Sequence, residues 1–285
     1  MSSSQDSARK LVAKKFASMS LPSIYWPTVP HKNLEWEIDK RIDNPNLIWQ
    51  SMSNLCGMAT FFNTLAWDDP YLYAHYVCEM YRCGAAYLGY GKNAPLVKPS
   101  KTVRSSKVPP MISSADWIAL AALRDHLNDV LKYGYDAGIP VLGEIPLLGF
   151  FGNPRLIEPV GGITWPGDLV NMLKAVGYAK VVNRADWQYR AGPKAIDDAN
   201  GYWQNGFKVL ALIHSGIESD EAGTYALTAD HWVRLAARIE TKGTGVRAWV
   251  WNPAYGKAHW LPTSGKMVHR NVFNAHFFGF VAAKK

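Results

Sequence analysis

Around Lys208 the sequence changes its hydrophobic rhythm, and that change limits the fold more than any other feature. Upstream, apolar residues recur at helical spacing, as in Trp117, Leu120, Leu123, Leu127 and Leu131. Downstream, Val209–Ile213, His231–Ile239, Val246–Trp251 and Phe277–Val281 are short runs of β-branched and aromatic residues with partial alternation, separated by turn signals such as Lys242-Gly-Thr-Gly245. Helices first and strands second imply an α+β fold with a mainly antiparallel sheet. A helical half then faces a β half, a natural place for a cleft.

With 285 residues, 48% of them hydrophobic, the chain can bury a large core. The expectation is a single domain over residues 21–285, with insertion loops at about 89–112 and 137–162, both rich in turn-forming residues. The first loop, basic as well, is the candidate for a mobile element facing substrate. Residues 1–20 are Ser-rich and basic and read as a disordered or loosely helical leader. Residues 1–19 hold no continuous apolar stretch of the Sec-signal kind, and no window approaches the roughly 18 apolar residues of a membrane helix. A soluble protein is expected, cytoplasmic where it is made, and any export would follow a non-Sec route. The net charge of +8, from 31 Lys and Arg against 23 Asp and Glu, is scattered rather than striped, so no nucleic-acid partner is expected. Three cysteines, an odd and sparse set, speak for a reducing compartment rather than a disulfide framework.

Local signals place several elements. Four prolines between residues 22 and 45 predict an extended segment draped over a core. A helix opens near Asn54 or Leu55, with Cys56, Ala59, Phe62, Asn63 and Ala66 along one strip. Asp69-Pro70 reads as an N-cap and first turn, and Gly84 as the end, of the next helix. Ser114 opens a third. Thr164-Trp-Pro-Gly-Asp168 primes a short helix through Ala175 that Gly177 stops, and Ala195 to Asn205 reads as helical.

Chemistry concentrates in Gln50 to Gly57. A cysteine in the opening turn of a helix has its thiolate stabilised by the macrodipole and unpaired N–H groups, and Gly57 lets backbone approach a substrate closely. Gln50, six residues earlier, can supply an amide donor that together with the Cys56 N–H forms an oxyanion hole. Cys78 and Cys83, five apart, have neither metal-ligand nor redox spacing and read as packing residues. Of eight histidines, His231 opens an alternating run after a loop with Glu218, Asp220 and Glu221, and Asn252-Pro253 ends the next run 21 residues later. A hairpin returns Asn252 beside His231, where its carbonyl oxygen can accept the imidazole N–H and fix the tautomer. The patterns Gly89-Tyr-Gly91 and Gly243-Thr-Gly245 read as turns rather than dinucleotide sites. No metal site and no cofactor are expected.

In order and spacing, Gln50…Cys56-Gly57, His231-Trp232-Val233 and Trp251-Asn252-Pro253…Gly256 resemble the motifs of papain-like cysteine peptidases. The late segment looks most like bacteriocin-processing peptidases and papain-fold bacterial effector toxins. The resemblance implies a papain-like fold, with Cys56 as nucleophile, His231 as general base and then acid, Asn252 as orienting residue and Gln50 as oxyanion donor. It implies amide cleavage in a protein or peptide substrate, without cofactor or membrane insertion, and an immunity or inhibitor protein is a further partner it admits. The same tetrad serves deamidases and transglutaminase-like enzymes, and a binding module with a degenerate site is the alternative from another class. Residues 85–205 match none of these motifs.

Overall fold

The structure, a computed structural model, describes residues 3–19, 22–51, 53–127, 131–132, 141–142, 164–223 and 226–285. It is mixed α+β, with nine helices among the described residues and an eight-stranded antiparallel sheet. The chain divides into two compact units, Met1–Thr164 and Trp165–Lys285, a boundary that composition does not mark.

The first unit is built on helices α1 (Ser3–Ala17), α2 (Leu34–Asp43), α3 (Cys56–Asp68) and α4 (Pro70–Cys83). Rather than a disordered or loosely helical leader, residues 3–17 form a docked helix. Its Ala8, Val12 and Phe16, four apart and so on one face, are buried. Around that face Gln5 Nε2 donates to the Ile42 carbonyl at 2.9 Å, Arg9 pairs with Asp43, and Lys15 Nζ lies 2.5 Å from Glu79 Oε1.

Helix α3 departs from the amphipathic strip expected of it, since every residue from Cys56 to Ala66 is buried. It touches α2, α4 and the later helix Ser114–Leu127, and a helix covered on all sides has no polar face to keep in water. Local chemistry sets the bounds of α4 as expected. Asp69 caps it by accepting from Leu72 N at 3.0 Å, Pro70 occupies its first turn, and Gly84 ends it in the left-handed region at φ +67°.

The basic segment 89–112 is tied down. Strands β1 (Ala86–Tyr87) and β2 (Leu96–Val97) pair antiparallel, and α5 (Lys101–Ser105) follows, capped by Ser100. Asp125, on α6 (Ser114–Leu127), accepts from Ser100 N at 2.6 Å and Ser100 Oγ at 3.1 Å. These bonds fasten a stretch whose composition reads as a free loop. The other expected insertion, 137–162, lies outside the described residues except for β4 (Val141–Leu142), which pairs with β3 (Leu131–Lys132).

The second unit opens with α7 (Pro166–Ala175), which Gly177 follows at φ +89°. Next come β5 (Lys180–Asn183), α8 (Ala195–Gln204), β6 (Lys208–Ile213), β7 (His231–Leu235), β8 (Glu240–Lys242), β9 (Gly245–Asn252), β10 (Lys257–Leu261), β11 (Val268–His269), α9 (Arg270–His276) and β12 (Phe277–Lys284). The sheet runs β10-β9-β7-β6-β12-β5, and β8 and β11 also pair with β9. The run His231–Ile239 is not one strand. Ala236 N and Ala237 N both donate to the Trp249 carbonyl, at 2.9 and 3.2 Å, and this two-against-one pairing ends β7 at Leu235. One sheet face buries Val209, Ala211, Val233, Leu235, Ala248 and Val250 with Ile196 and Ala199 of α8.

Candidate active site

Cys56 is the first residue of α3 and is 7% exposed. Leu55, at the N-cap, has a side chain that cannot bond the first-turn N–H groups, so the positive end of the helix is not capped by its own N-cap residue. The chain enters this turn through a constrained corner. Ser51 holds φ +55°, a region costly for a residue with a Cβ, and Ser53 bonds back to the Gln50 carbonyl through its N at 3.1 Å and its Oγ at 2.5 Å. Gln50 is buried, and its Oε1 has no hydrogen-bond partner among the described residues.

A buried ion pair braces the residues before that corner. Asp116 of α6 accepts from Arg41 Nε at 2.7 Å and Nη2 at 2.5 Å, and its Oδ2 also accepts from Trp49 N at 3.2 Å. The backbone immediately before Gln50 is therefore anchored to α6. Gly57 makes a close approach, but to protein rather than to open space: a Cβ there would overlap the Cβ and Oγ1 of Thr164. Packing within the first unit is thus enough to require a glycine here.

The other cysteines differ in kind. Cys78 is fully buried, and burial pushes its thiol up to about 12. Cys83 is exposed rather than packed, its thiol raised by desolvation and by Glu79, whose Oε2 lies 3.6 Å from its Sγ.

In the second unit the strand register brings His231 and Asn252 together. Arg234 pairs with Trp251 and Leu235 with Val250, so one step further Asn252 shares a face with Val233 and His231. His231 Nε2 and Asn252 Oδ1 are 2.8 Å apart, with His231 7% exposed and Asn252 fully buried. The amide orientation is set from both ends. Oδ1 also accepts from Ala254 N at 2.9 Å, while Nδ2 donates to Glu218 Oε1 at 2.7 Å. An oxygen facing His231 requires a proton on Nε2, so that in the neutral imidazole Nδ1 is the ring nitrogen without a proton.

Comparison with known protein families, with curated proteins and with solved structures finds no match.

The carboxylate behind Asn252 has no role in the sequence pattern. Glu218 ends the 3-10 turn Ser215–Glu218. Its Oε2 accepts from Tyr255 O–H at 2.8 Å, a bond that raises the tyrosine, and its backbone carbonyl accepts from Thr263 N and Oγ1, both at 3.0 Å. The other end of the same turn is fixed to the residue before His231, since Asp230 accepts from Ser215 N at 2.6 Å and Ser215 Oγ at 2.8 Å. An acidic loop upstream of a histidine is the only sequence signal of this brace, and such a loop does not say which acid turns inward. His259 shares the sheet face through its pairing with Val250. Its Nδ1 bonds the Trp260 carbonyl at 2.7 Å and its buried Nε2 has no partner among the described residues, while desolvation holds its imidazole below the ordinary value. Among the described residues no three His, Cys, Asp or Glu side chains are grouped to hold a metal ion, and no helix is long and apolar enough to cross a membrane.

Proposed function

We propose that the chain is a papain-like cysteine hydrolase that breaks an amide bond in a protein or peptide. The observation that carries this is the His231–Asn252 pair. An imidazole whose Nε2–H is committed to a buried amide oxygen at 2.8 Å presents Nδ1 as base, as a thiol nucleophile requires. Cys56 at the first position of α3, after an N-cap leucine, and the buried amide of Gln50 support the other half of the proposal.

His231 takes the Cys56 proton, and the thiolate attacks the amide carbonyl, forming the C–S bond of a tetrahedral intermediate. Its oxyanion is held by the Gln50 amide and the Cys56 N–H. The C–N bond then breaks as the imidazolium returns its proton to the departing amine. Water, deprotonated by His231, cleaves the thioester to a carboxylate and restores the thiol.

The test is mass spectrometry of a protein-derived peptide mixture incubated with the wild-type chain and with Cys56→Ala. Expected are new peptide termini produced by the wild type alone. Identical cleavage by Cys56→Ala would overturn the proposal. So would side-chain changes of about +1 Da or added amines without new termini, the chemistry of a deamidase or transglutaminase.

A further inference from the structure

We infer that Glu218 is a positioning residue for His231, acting through Asn252, and that it is the reason position 252 holds an amide rather than a carboxylate. Only the kinetic consequence of this rests on the hydrolase proposal.

Asn252 is fully buried between one acceptor and two donors. Its Nδ2 faces the Glu218 carboxylate at 2.7 Å, and its Oδ1 receives His231 Nε2 at 2.8 Å and Ala254 N at 2.9 Å. The amide therefore relays a carboxylate's charge to the imidazole: the anion draws on the N–H end, and the oxygen becomes a stronger acceptor for the histidine proton. Each remaining group of Glu218 serves the same placement. Tyr255 O–H takes the second carboxylate oxygen at 2.8 Å, and Thr263 holds the backbone carbonyl. With Asp230 bonding Ser215 at the other end, one short turn is tied to Asn252 and to the residue before His231.

A carboxylate at 252 would meet Glu218 head-on, two anions in the place of one N–H···O bond. Exchanging the two groups would not. In Glu218→Gln/Asn252→Asp, the new amide donates to the new carboxylate, its own oxygen accepts from Tyr255, and the carboxylate accepts from His231 and Ala254. The pair keeps one negative charge and every bond.

The exchange is the experiment, carried out on the full chain with two readouts. The first is the protection of the His231 Nε2–H signal against exchange with water, by NMR of 15N-histidine-labelled protein, the signal being assigned by its loss in His231→Ala. The second is the rate of Cys56 alkylation by iodoacetamide at neutral pH. Glu218→Gln and Asn252→Asp are each expected to lower both by roughly tenfold, the scale on which groups that orient a functional histidine act. The double variant is expected to recover most of both losses. A role confined to stability would leave Glu218→Gln unchanged, because glutamine can satisfy the same two neighbours. The inference is overturned if Glu218→Gln keeps the wild-type protection of His231, or if the double variant is no better than the worse single one. If His231 follows the expected pattern while Cys56 alkylation does not, Glu218 positions His231 and the hydrolase proposal is the part that fails.

Discussion

Asn252 meets His231 across neighbouring strands 21 residues apart in sequence, its Oδ1 2.8 Å from the imidazole Nε2, with no exposed surface of its own. Replacing it by alanine strips Glu218 and Ala254 of partners as well as His231. Asn252→Ala should therefore lower the free energy of unfolding by about 1–3 kcal/mol, the scale for buried polar groups left unsatisfied. A urea titration checks this, and a midpoint equal to that of the wild type would show that the amide is not part of a strained-for bond network.

A second expectation concerns Gly57. Because an added Cβ would overlap Thr164, Gly57→Ala should destabilise the protein by about 1–3 kcal/mol, as overpacking does. Thr164→Gly should relieve it, so that the double variant melts above Gly57→Ala alone. Failure of the second change to raise the melting temperature would show that the collision is absorbed elsewhere.

What the sequence made legible follows from how local each cause is. Asp69, Pro70 and Gly84 announce the bounds of α4 because capping, a fixed φ and a left-handed terminus act within a turn. His231 and Asn252 are legible at longer range because strands have a period of two and pairing sets their register. Nothing local marks the Arg41–Asp116 pair, 75 residues apart, or the packing of Thr164 on Gly57. Glu218 is hidden for a further reason: Asp220 and Glu221 beside it are chemically equivalent, and only tertiary placement turns one carboxylate toward Asn252. The docking of leader residues 3–17 is not legible in composition. Ala8, Val12 and Phe16 form an apolar stripe only three residues long, too sparse to outweigh a Ser- and Lys-rich segment until α4 supplies its partner surface.

The docking of that leader should depend on acidity. Burial alone would raise Glu79, but the hydrogen bonds and charges of Arg82 and Lys15 outweigh it and hold the carboxyl at about 2, below its ordinary 4.5. A folded-state value below the unfolded one means that the stabilisation is present above about pH 4.5 and is lost as pH falls through about 2. Thermal unfolding of the wild type and Glu79→Gln should differ near neutral pH, with the wild type more stable, and converge toward pH 2. A constant difference across that range would mean that the carboxylate's charge is not what holds Lys15 of α1.

Most directly decisive is the rate at which iodoacetamide alkylates each cysteine of the intact chain at neutral pH, in the wild type and in His231→Ala, read by mass spectrometry. Cys56 should react faster than Cys78 and Cys83, whose thiols are both raised, and loss of His231 should slow Cys56 alone by at least roughly tenfold. A Cys56 that reacts no faster than the other two, or at a rate indifferent to His231, would contradict the assignment of the two residues to one catalytic pair.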